Sequence, residues 1–238
     1  MLFDLGPGLR RDEREGKVSV APDDHAKPWE TTRRGLMLLV SSPAGAGKTS
    51  LSRRLAADHL DLILSISATT RAPRPGEEEA REYFFKTREA FDAMIAAGEL
   101  FEWAEVNGQR YGTPKAPVMA ALEAGKDVLF DIDWQGAAQV ARMAPEDSVR
   151  VFVLPPSWSD LSRRLHARAQ DSEEIINRRL TLGREEIKHW GDYDYVIVNK
   201  NFDRAYADLG HIYRAERLKP GRNPWLPEFV EGLGQEED

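Results

Sequence analysis

The sequence predicts an α/β fold in which a parallel sheet carries helices on both faces. Three observations lead there. Short apolar runs at residues 36–40, 128–132, 149–154 and 195–199 read as buried strands. Segments of helical period separate them. The first run passes through a small-residue turn into a helix, the strand–loop–helix order of a phosphate-binding loop.

Residues 1–33 have mixed charge, Pro7, Pro22 and Pro28, and little periodicity, so a loosely ordered extension is expected. Leu36, Met37, Leu38, Leu39 and Val40 form the first strand, and residues 41–48 the turn. Leu51 and Leu55 then fall at helical spacing. Residues 62–67 read as a strand. A helix follows over 88–97, with Phe91, Met94 and Ile95 inward and Gly98 at its end. Another spans 115–124, with Val118 and Leu122 inward and Gly125 closing it. After the strand at 128–132 comes a helix over 134–143. Pro155 and Pro156 stop the strand at 149–154. Helical stretches at 159–168 and 173–189 are split by Ala169, Gln170, Asp171 and Ser172, and Asp171 with Glu174 resembles a capping box. A last helix runs from about 203 to 217. The tail from 219, with Pro220, Pro224, Glu236, Glu237 and Asp238, is expected to fray.

Composition removes several functions. With 238 residues there is room for one substantial domain and appended pieces. No apolar run approaches the ~18 residues of a membrane span. The polar N-terminus, with Arg10, Arg11, Asp12, Glu13, Arg14 and Glu15, lacks the apolar core of a secretory signal. The absence of cysteine rules out disulfides and thiolate zinc sites and fits a cytoplasmic protein. The histidines are scattered, none at metal-binding spacing on one helix face. A net charge of −7 disfavours a sequence-independent nucleic-acid binder, which needs a basic surface. Small anionic substrates stay open to it, because they respond to local Arg and Lys clusters. A homo-oligomer is compatible with all of this.

Ser42-Pro43-Ala44-Gly45-Ala46-Gly47-Lys48-Thr49 matches GxxxxGK[ST] except that Ser42 replaces the first glycine. Small residues let successive backbone N–H groups turn inward around phosphate oxygens, and the helix N-terminus adds partial positive charge. A glycine- and alanine-rich turn can also merely start a helix, but the flanking strand and helix and the terminal Gly-Lys-Thr weigh against that. Residues Ser42, Pro43, Ala44, Gly45, Ala46, Gly47, Lys48, Thr49 and Ser50 form the expected triphosphate site. Lys48 would reach the β and γ phosphates, and Thr49 would offer its hydroxyl to Mg²⁺. Asp131, near a strand end, suits the acid that holds water on that metal.

The acceptor must come from elsewhere. Arg71 and Arg74 lie in a loop stiffened by Pro73 and Pro75, where guanidinium groups can fork onto phosphate oxygens. Tyr83 and Tyr111 could add phenolic donors. Taken alone, two loop arginines are ordinary solvated side chains.

Several motifs together are more specific. The phosphate loop, Ser67-Ala68-Thr69-Thr70-Arg71-Ala72-Pro73-Arg74-Pro75-Gly76-Glu77, Phe101-Glu102-Trp103-Ala104-Glu105-Val106, Tyr111-Gly112-Thr113 and Asp131-Ile132-Asp133-Trp134-Gln135-Gly136 occur in the order and spacing of guanylate kinases. Gln170-Asp171-Ser172-Glu173-Glu174 and Tyr195-Val196-Ile197-Val198-Asn199 extend the resemblance, which covers about residues 34–218. It implies a P-loop nucleoside monophosphate kinase fold: a parallel-sheet core, a GMP-binding insertion of about 68–117 and a helical lid of about 156–190. Residues 219–238 fall outside it as a C-terminal tail.

By that likeness ATP is the donor, with Mg²⁺, and Arg71, Arg74, Tyr83 and Tyr111 hold the GMP phosphate. Ser67, Glu102, Thr113 and Asp133 read the base. Guanine presents N1–H and N2–H₂ as adjacent donors that one carboxylate accepts together, and adenine has no such pair. Arg164, Arg168 and Arg179 match family positions that close over the transferring phosphoryl group, so Lys48, Arg71 and these three form the implied catalytic set. Ala169 stands where the family commonly has glycine. Two rival readings follow from the same residues. One is a scaffold module of the same fold without catalysis, and the retained Lys48, Thr49, Asp131 and arginines argue against it. The other is a phosphate-loop kinase for an acceptor such as a phosphorylated sugar, disfavoured by Glu102, Thr113 and Asp133.

Overall fold

A computed structural model describes residues 9–11, 18–20, 33–167 and 172–235. The chain falls into two units, one of them Arg34–Arg222. Outside that unit, strands β1 (Leu9–Arg11) and β2 (Val18–Val20) form an antiparallel pair. The remaining expectation for residues 1–33 concerns positions outside the described residues, as do residues 236–238 of the tail.

Within Arg34–Arg222 the centre is a five-stranded parallel sheet in the order β11-β10-β3-β9-β4. Its strands are β3 (Met37–Ser41), β4 (Leu62–Leu64), β9 (Asp127–Asp131), β10 (Ser148–Leu154) and β11 (Tyr195–Val198). β3 is in the middle, and all five of its residues are buried. Its side chains alternate between two cores, as the period of a strand requires. Leu38 and Val40 pack with Leu51 and Leu55 of α1 (Lys48–Asp58) and with Leu209 and Tyr213 of α7 (Phe202–Arg217). Met37 and Leu39 face Val118 and Leu122 of α3 (Lys115–Glu123) and Val140 of α4 (Trp134–Met143). That two-sided cover is why the first run reads as unbroken hydrophobicity.

β4 is shorter than the expected strand at 62–67. Ser65 N–H still donates to Leu129 O at 2.9 Å, and the chain then leaves the parallel sheet. It joins a second, four-stranded sheet in the order β6-β5-β8-β7 that the apolar pattern does not announce. Its strands are β5 (Ala68–Thr69), β6 (Phe84–Phe85), β7 (Leu100–Val106) and β8 (Gln109–Pro114). β7 and β8 form a hairpin whose two turn residues, Asn107 and Gly108, have φ of 51° and 75°. An Asn-Gly turn with both residues left-handed matches the twist of antiparallel strands. A small core of Ala68, Phe91 and Leu100 joins the sheet to α2 (Arg88–Ala96).

The helices fall close to their expected limits. α5 (Trp158–Ala167) and α6 (Glu173–Glu186) occupy the two stretches after β10, and a 3-10 turn at Ile187–Asp192 replaces the end of the second. The cap of α6 is Ser172, which accepts the Ile175 N–H, while Asp171 of the expected capping box lies outside the described residues. The unit continues past 218 because a 3-10 turn at Pro220–Arg222 buries the Arg222 guanidinium, whose Nε donates to Glu216 O at 3.0 Å. The tail expected to fray contains a further helix, α8 (Leu226–Leu233), with proline in its first turn, where no amide is lost. No helix among the described residues is long and apolar enough to cross a membrane.

Candidate active site

The phosphate loop joins β3 to α1 at the carboxyl end of the central strand. Gly45 and Gly47 have φ of 90° and 104°, a region that L side chains rarely adopt. Space tightens the requirement. A Cβ on Gly47 would lie 2.3 Å from Asn199 Nδ2, and one on Gly45 would lie 3.0 Å from Leu165 Cδ2. The loop is held from behind by buried Asn199, whose Nδ2 donates to Ala46 O at 2.8 Å. α1 begins without a side-chain cap, so its first amides are left to an outside acceptor.

Lys48 sits in the first turn of α1, with Nζ 2.6 Å from Asp131 Oδ1 and 2.8 Å from Ile132 O. Asp131 ends β9, and register places it beside Val40 of β3. Thr49 and Ser50 are exposed in the same turn. Ser42, the departure from the pattern, donates its hydroxyl to Pro43 O at 3.0 Å. It is accommodated at the strand-to-loop turn without displacing the lysine.

The second sheet gathers several of the residues expected to hold the acceptor. Pairing sets Thr69 opposite Tyr111 and Glu102 opposite Thr113. Thr113 Oγ1 donates to Glu102 Oε1 at 2.7 Å. Asp133 caps α4, accepting the Gly136 N–H at 2.8 Å, and its charge reaches Glu102. Burial raises the Glu102 carboxyl above the ordinary range, and Asp133 pushes it further, against the Thr113 hydrogen bonds. Ser67 is half-buried just before β5.

Arg71 forks onto Glu77, Nη2 donating to Oε1 at 2.8 Å and to Oε2 at 2.9 Å. Its guanidinium lies 5.2 Å from the Tyr83 ring centre, and Tyr83 meets Tyr111 edge-on at 6.0 Å. Glu77 Oε2 also accepts the Arg74 N–H at 2.7 Å, while the Arg74 side chain is exposed. These two donors hold the Glu77 carboxyl below its usual range, Arg71 foremost.

Arg164 of α5 is turned to the back of the phosphate loop: it donates to Asn199 O at 2.9 Å and to Ala46 O at 3.3 Å. Arg179 is half-buried on α6. Arg168, and Ala169 after it, lie outside the described residues. Two residues of the site carry no role that the sequence announces. Glu77 and Asn199 stand inside quoted motifs, but their partners, Arg71 and Ala46, follow only from the fold.

A phosphate loop on a parallel sheet, with a separate sheet carrying an arginine–tyrosine cluster and a carboxylate pair, defines a nucleoside monophosphate kinase of the P-loop class. The guanylate kinase family model matches residues 34–216, and the chain belongs to that family. The chain is 59% identical over 204 residues to a guanylate kinase of Caulobacter vibrioides, covering 86% of this chain and 96% of that one. It is 52% identical over 206 residues to one of Rhizobium meliloti, covering 87% and 94%. A crystal structure of guanylate kinase from Anaplasma phagocytophilum superposes with a TM-score of 0.66 at 35% identity, covering 87% of this chain and 98% of that one.

Proposed function

We propose that the chain transfers the γ-phosphoryl group of ATP to GMP, giving GDP and ADP, with dGMP as a second acceptor. The observation that carries the choice of base is the Glu102, Thr113 and Asp133 group. Thr113 orients one oxygen of Glu102 at 2.7 Å. A fixed carboxylate can accept N1–H and N2–H₂ of guanine together, and adenine cannot supply that pair. Arg71, Arg74, Tyr83 and Tyr111 are assigned to the GMP phosphate, and Ser67 to the base edge.

On the donor side, the residues of the loop from Ser42 to Ser50 take the ATP phosphates, with Lys48 on the transferring end. The exposed Thr49 hydroxyl and the Asp131 carboxylate offer the oxygen donors that a hard cation prefers, so the residues fit Mg²⁺. When bound by Thr49 and, through water, by Asp131, Mg²⁺ would supply charge neutralisation at the phosphates.

Transfer needs no covalent enzyme intermediate: the GMP phosphate oxygen attacks in line, and the enzyme positions both phosphates and offsets their charge. Region 68–117 brings GMP in and region 156–190 acts as a lid that excludes water. Arg179 and Arg168 are assigned to the charge on the transferring group. Arg164 joins them on closure, leaving the carbonyls of Ala46 and Asn199. We place the reaction in purine nucleotide metabolism, in the cytoplasm, where GMP is recycled.

A coupled ADP-release assay over GMP, dGMP, AMP, CMP, UMP and ribose phosphates tests the proposal. GMP and dGMP are expected to turn over well above the rest. Preference for AMP, or for a sugar phosphate, would remove the base assignment.

A further inference from the structure

Residues 71–77 fold back on themselves. Pro75 and Gly76 form the centre of a tight turn: Glu77 N–H donates to Arg74 O at 3.0 Å, and Gly76 has φ of 88°. Proline followed by a left-handed glycine is the pattern of a type II turn. The turn carries the Glu77 side chain back over the loop, where Oε2 accepts the Arg74 N–H at 2.7 Å. The carboxylate is thus held by the backbone, and its two oxygens accept from Arg71 Nη2 at 2.8 and 2.9 Å. Arg71 Nη1 donates to Ala72 O at 2.9 Å, and the Tyr83 ring centre lies 5.2 Å from the guanidinium carbon. The Arg71 and Glu77 side chains are each 17% exposed, so the pair escapes the solvent screening that weakens the open pairs of Arg81 with Glu78 and Glu82. A carboxylate beside an arginine meant for a phosphate lowers the positive charge there. It is adverse to binding unless it sets the geometry of that arginine. Arginine loses much rotamer freedom when it binds, and a guanidinium already fixed loses less.

We infer that Glu77 is a positioning residue of the GMP phosphate site, holding the Arg71 guanidinium beside Tyr83 in the direction that meets the acceptor phosphate. The hold has two parts, the backbone anchor of the carboxylate at Arg74 and its grip on Arg71 Nη2. This rests on the assignment of Arg71 to the GMP phosphate above. The effect belongs to the acceptor, because Arg71, Arg74 and Tyr83 all carry that assignment, whereas the donor loop lies on the parallel sheet.

The test is steady-state kinetics with GMP and ATP varied in turn, with a melting curve for each variant. E77A is expected to raise KM for GMP by about tenfold and to leave KM for ATP within about twofold of the parent. E77Q keeps one acceptor oxygen and loses the charge, and a rise of about threefold is expected. Because Glu77 acts through Arg71, the double variant R71A/E77A is expected to keep the kcat/KM for GMP of R71A within about twofold. A merely structural role would add the E77A loss to the R71A loss and would move ATP together with GMP. An equal change for ATP, or a double variant about tenfold below R71A, overturns the inference. So does an unchanged or lowered KM for GMP in E77A; a lowered one would mean that Glu77 competes with the phosphate for Arg71. If E77A does not fold, E77Q and R71A/E77Q replace it in the same comparisons. Parent protein that forms no GDP from ATP and GMP fails the underlying reading, and active parent insensitive to R71A fails the Arg71 assignment. An impaired R71A beside an unaffected E77A fails only this inference.

Discussion

Thr113 Oγ1 donates to Glu102 Oε1 at 2.7 Å, and cross-strand pairing of β7 with β8 sets the two residues opposite one another. One oxygen of Glu102 is thereby fixed, and Asp133 caps the neighbouring helix within electrostatic reach. Replacing Glu102 with Gln swaps an acceptor for a donor that opposes the guanine N–H groups. E102Q is expected to raise KM for GMP by about 100-fold and to change KM for ATP by less than about threefold. Equal effects on both substrates would remove Glu102 as base reader.

The same carboxyl predicts a pH dependence. Burial and Asp133 raise its pKa above that of an ordinary glutamate. In the proposed role the charged form accepts the guanine donors, so KM for GMP should rise as pH falls through the raised pKa, earlier than an ordinary carboxylate would give. For stability the sign is opposite: the neutral form is favoured in the folded state, and its contribution is complete below the unfolded pKa and lost as pH rises through the folded one. A pH profile of KM for GMP that is steep in the parent and flat in E102Q is the expected result.

Lys48 Nζ lies 2.6 Å from Asp131 Oδ1, and the proposed donor site assigns this ammonium to the triphosphate. Lys48→Ala is expected to lower kcat by at least about 1,000-fold, with circular dichroism and melting close to the parent. Near-normal turnover in a folded K48A protein would contradict the donor-site assignment.

Gly47→Ala probes the loop itself. At φ of 104°, with a Cβ directed 2.3 Å from Asn199 Nδ2, alanine would strain the backbone and push the amide off Ala46 O. A loss of about 1–4 kcal/mol in urea unfolding is expected, together with weakened ATP binding. Gly76, also at positive φ but with open space around it, should lose about 1 kcal/mol from backbone strain alone.

Arg71→Lys keeps the charge and loses the fork onto Glu77. KM for GMP is expected to rise by about tenfold or more, because an ammonium cannot reproduce paired contacts to a carboxylate on one side and a phosphate on the other. Titration of GMP binding by calorimetry checks this separately from turnover.

The phosphate loop and the parallel sheet were legible because their signals are local: an unbroken buried strand, glycines at fixed spacing, then leucines at helical period. The second sheet was not. β5 and β6 are two residues each and exist through pairing with distant partners, and β7 is largely exposed beyond Phe101. Asn107-Gly108 is a local hairpin signal, but the strands it joins are too polar to show the alternation of a half-buried strand. The grouping of Glu102, Thr113 and Asp133 is implied only by resemblance to a family, since strand register pairs the first two and the packing of α4 on β7 brings up the third. Prolines at 220 and 224 read as the end of structure, yet the proline at 227 starts α8. The clamp of Glu77 on Arg71 and the hold of Asn199 on Ala46 depend on tertiary geometry with no sequence counterpart.

The most direct measurement is chromatographic quantitation of all nucleotides after the protein is mixed with ATP, Mg²⁺ and GMP. GDP and ADP are expected in equal amounts, with at least about 1,000-fold slower formation of both by K48A and little product when AMP replaces GMP. ADP formed without GDP, or equal phosphorylation of AMP, would contradict the proposed function.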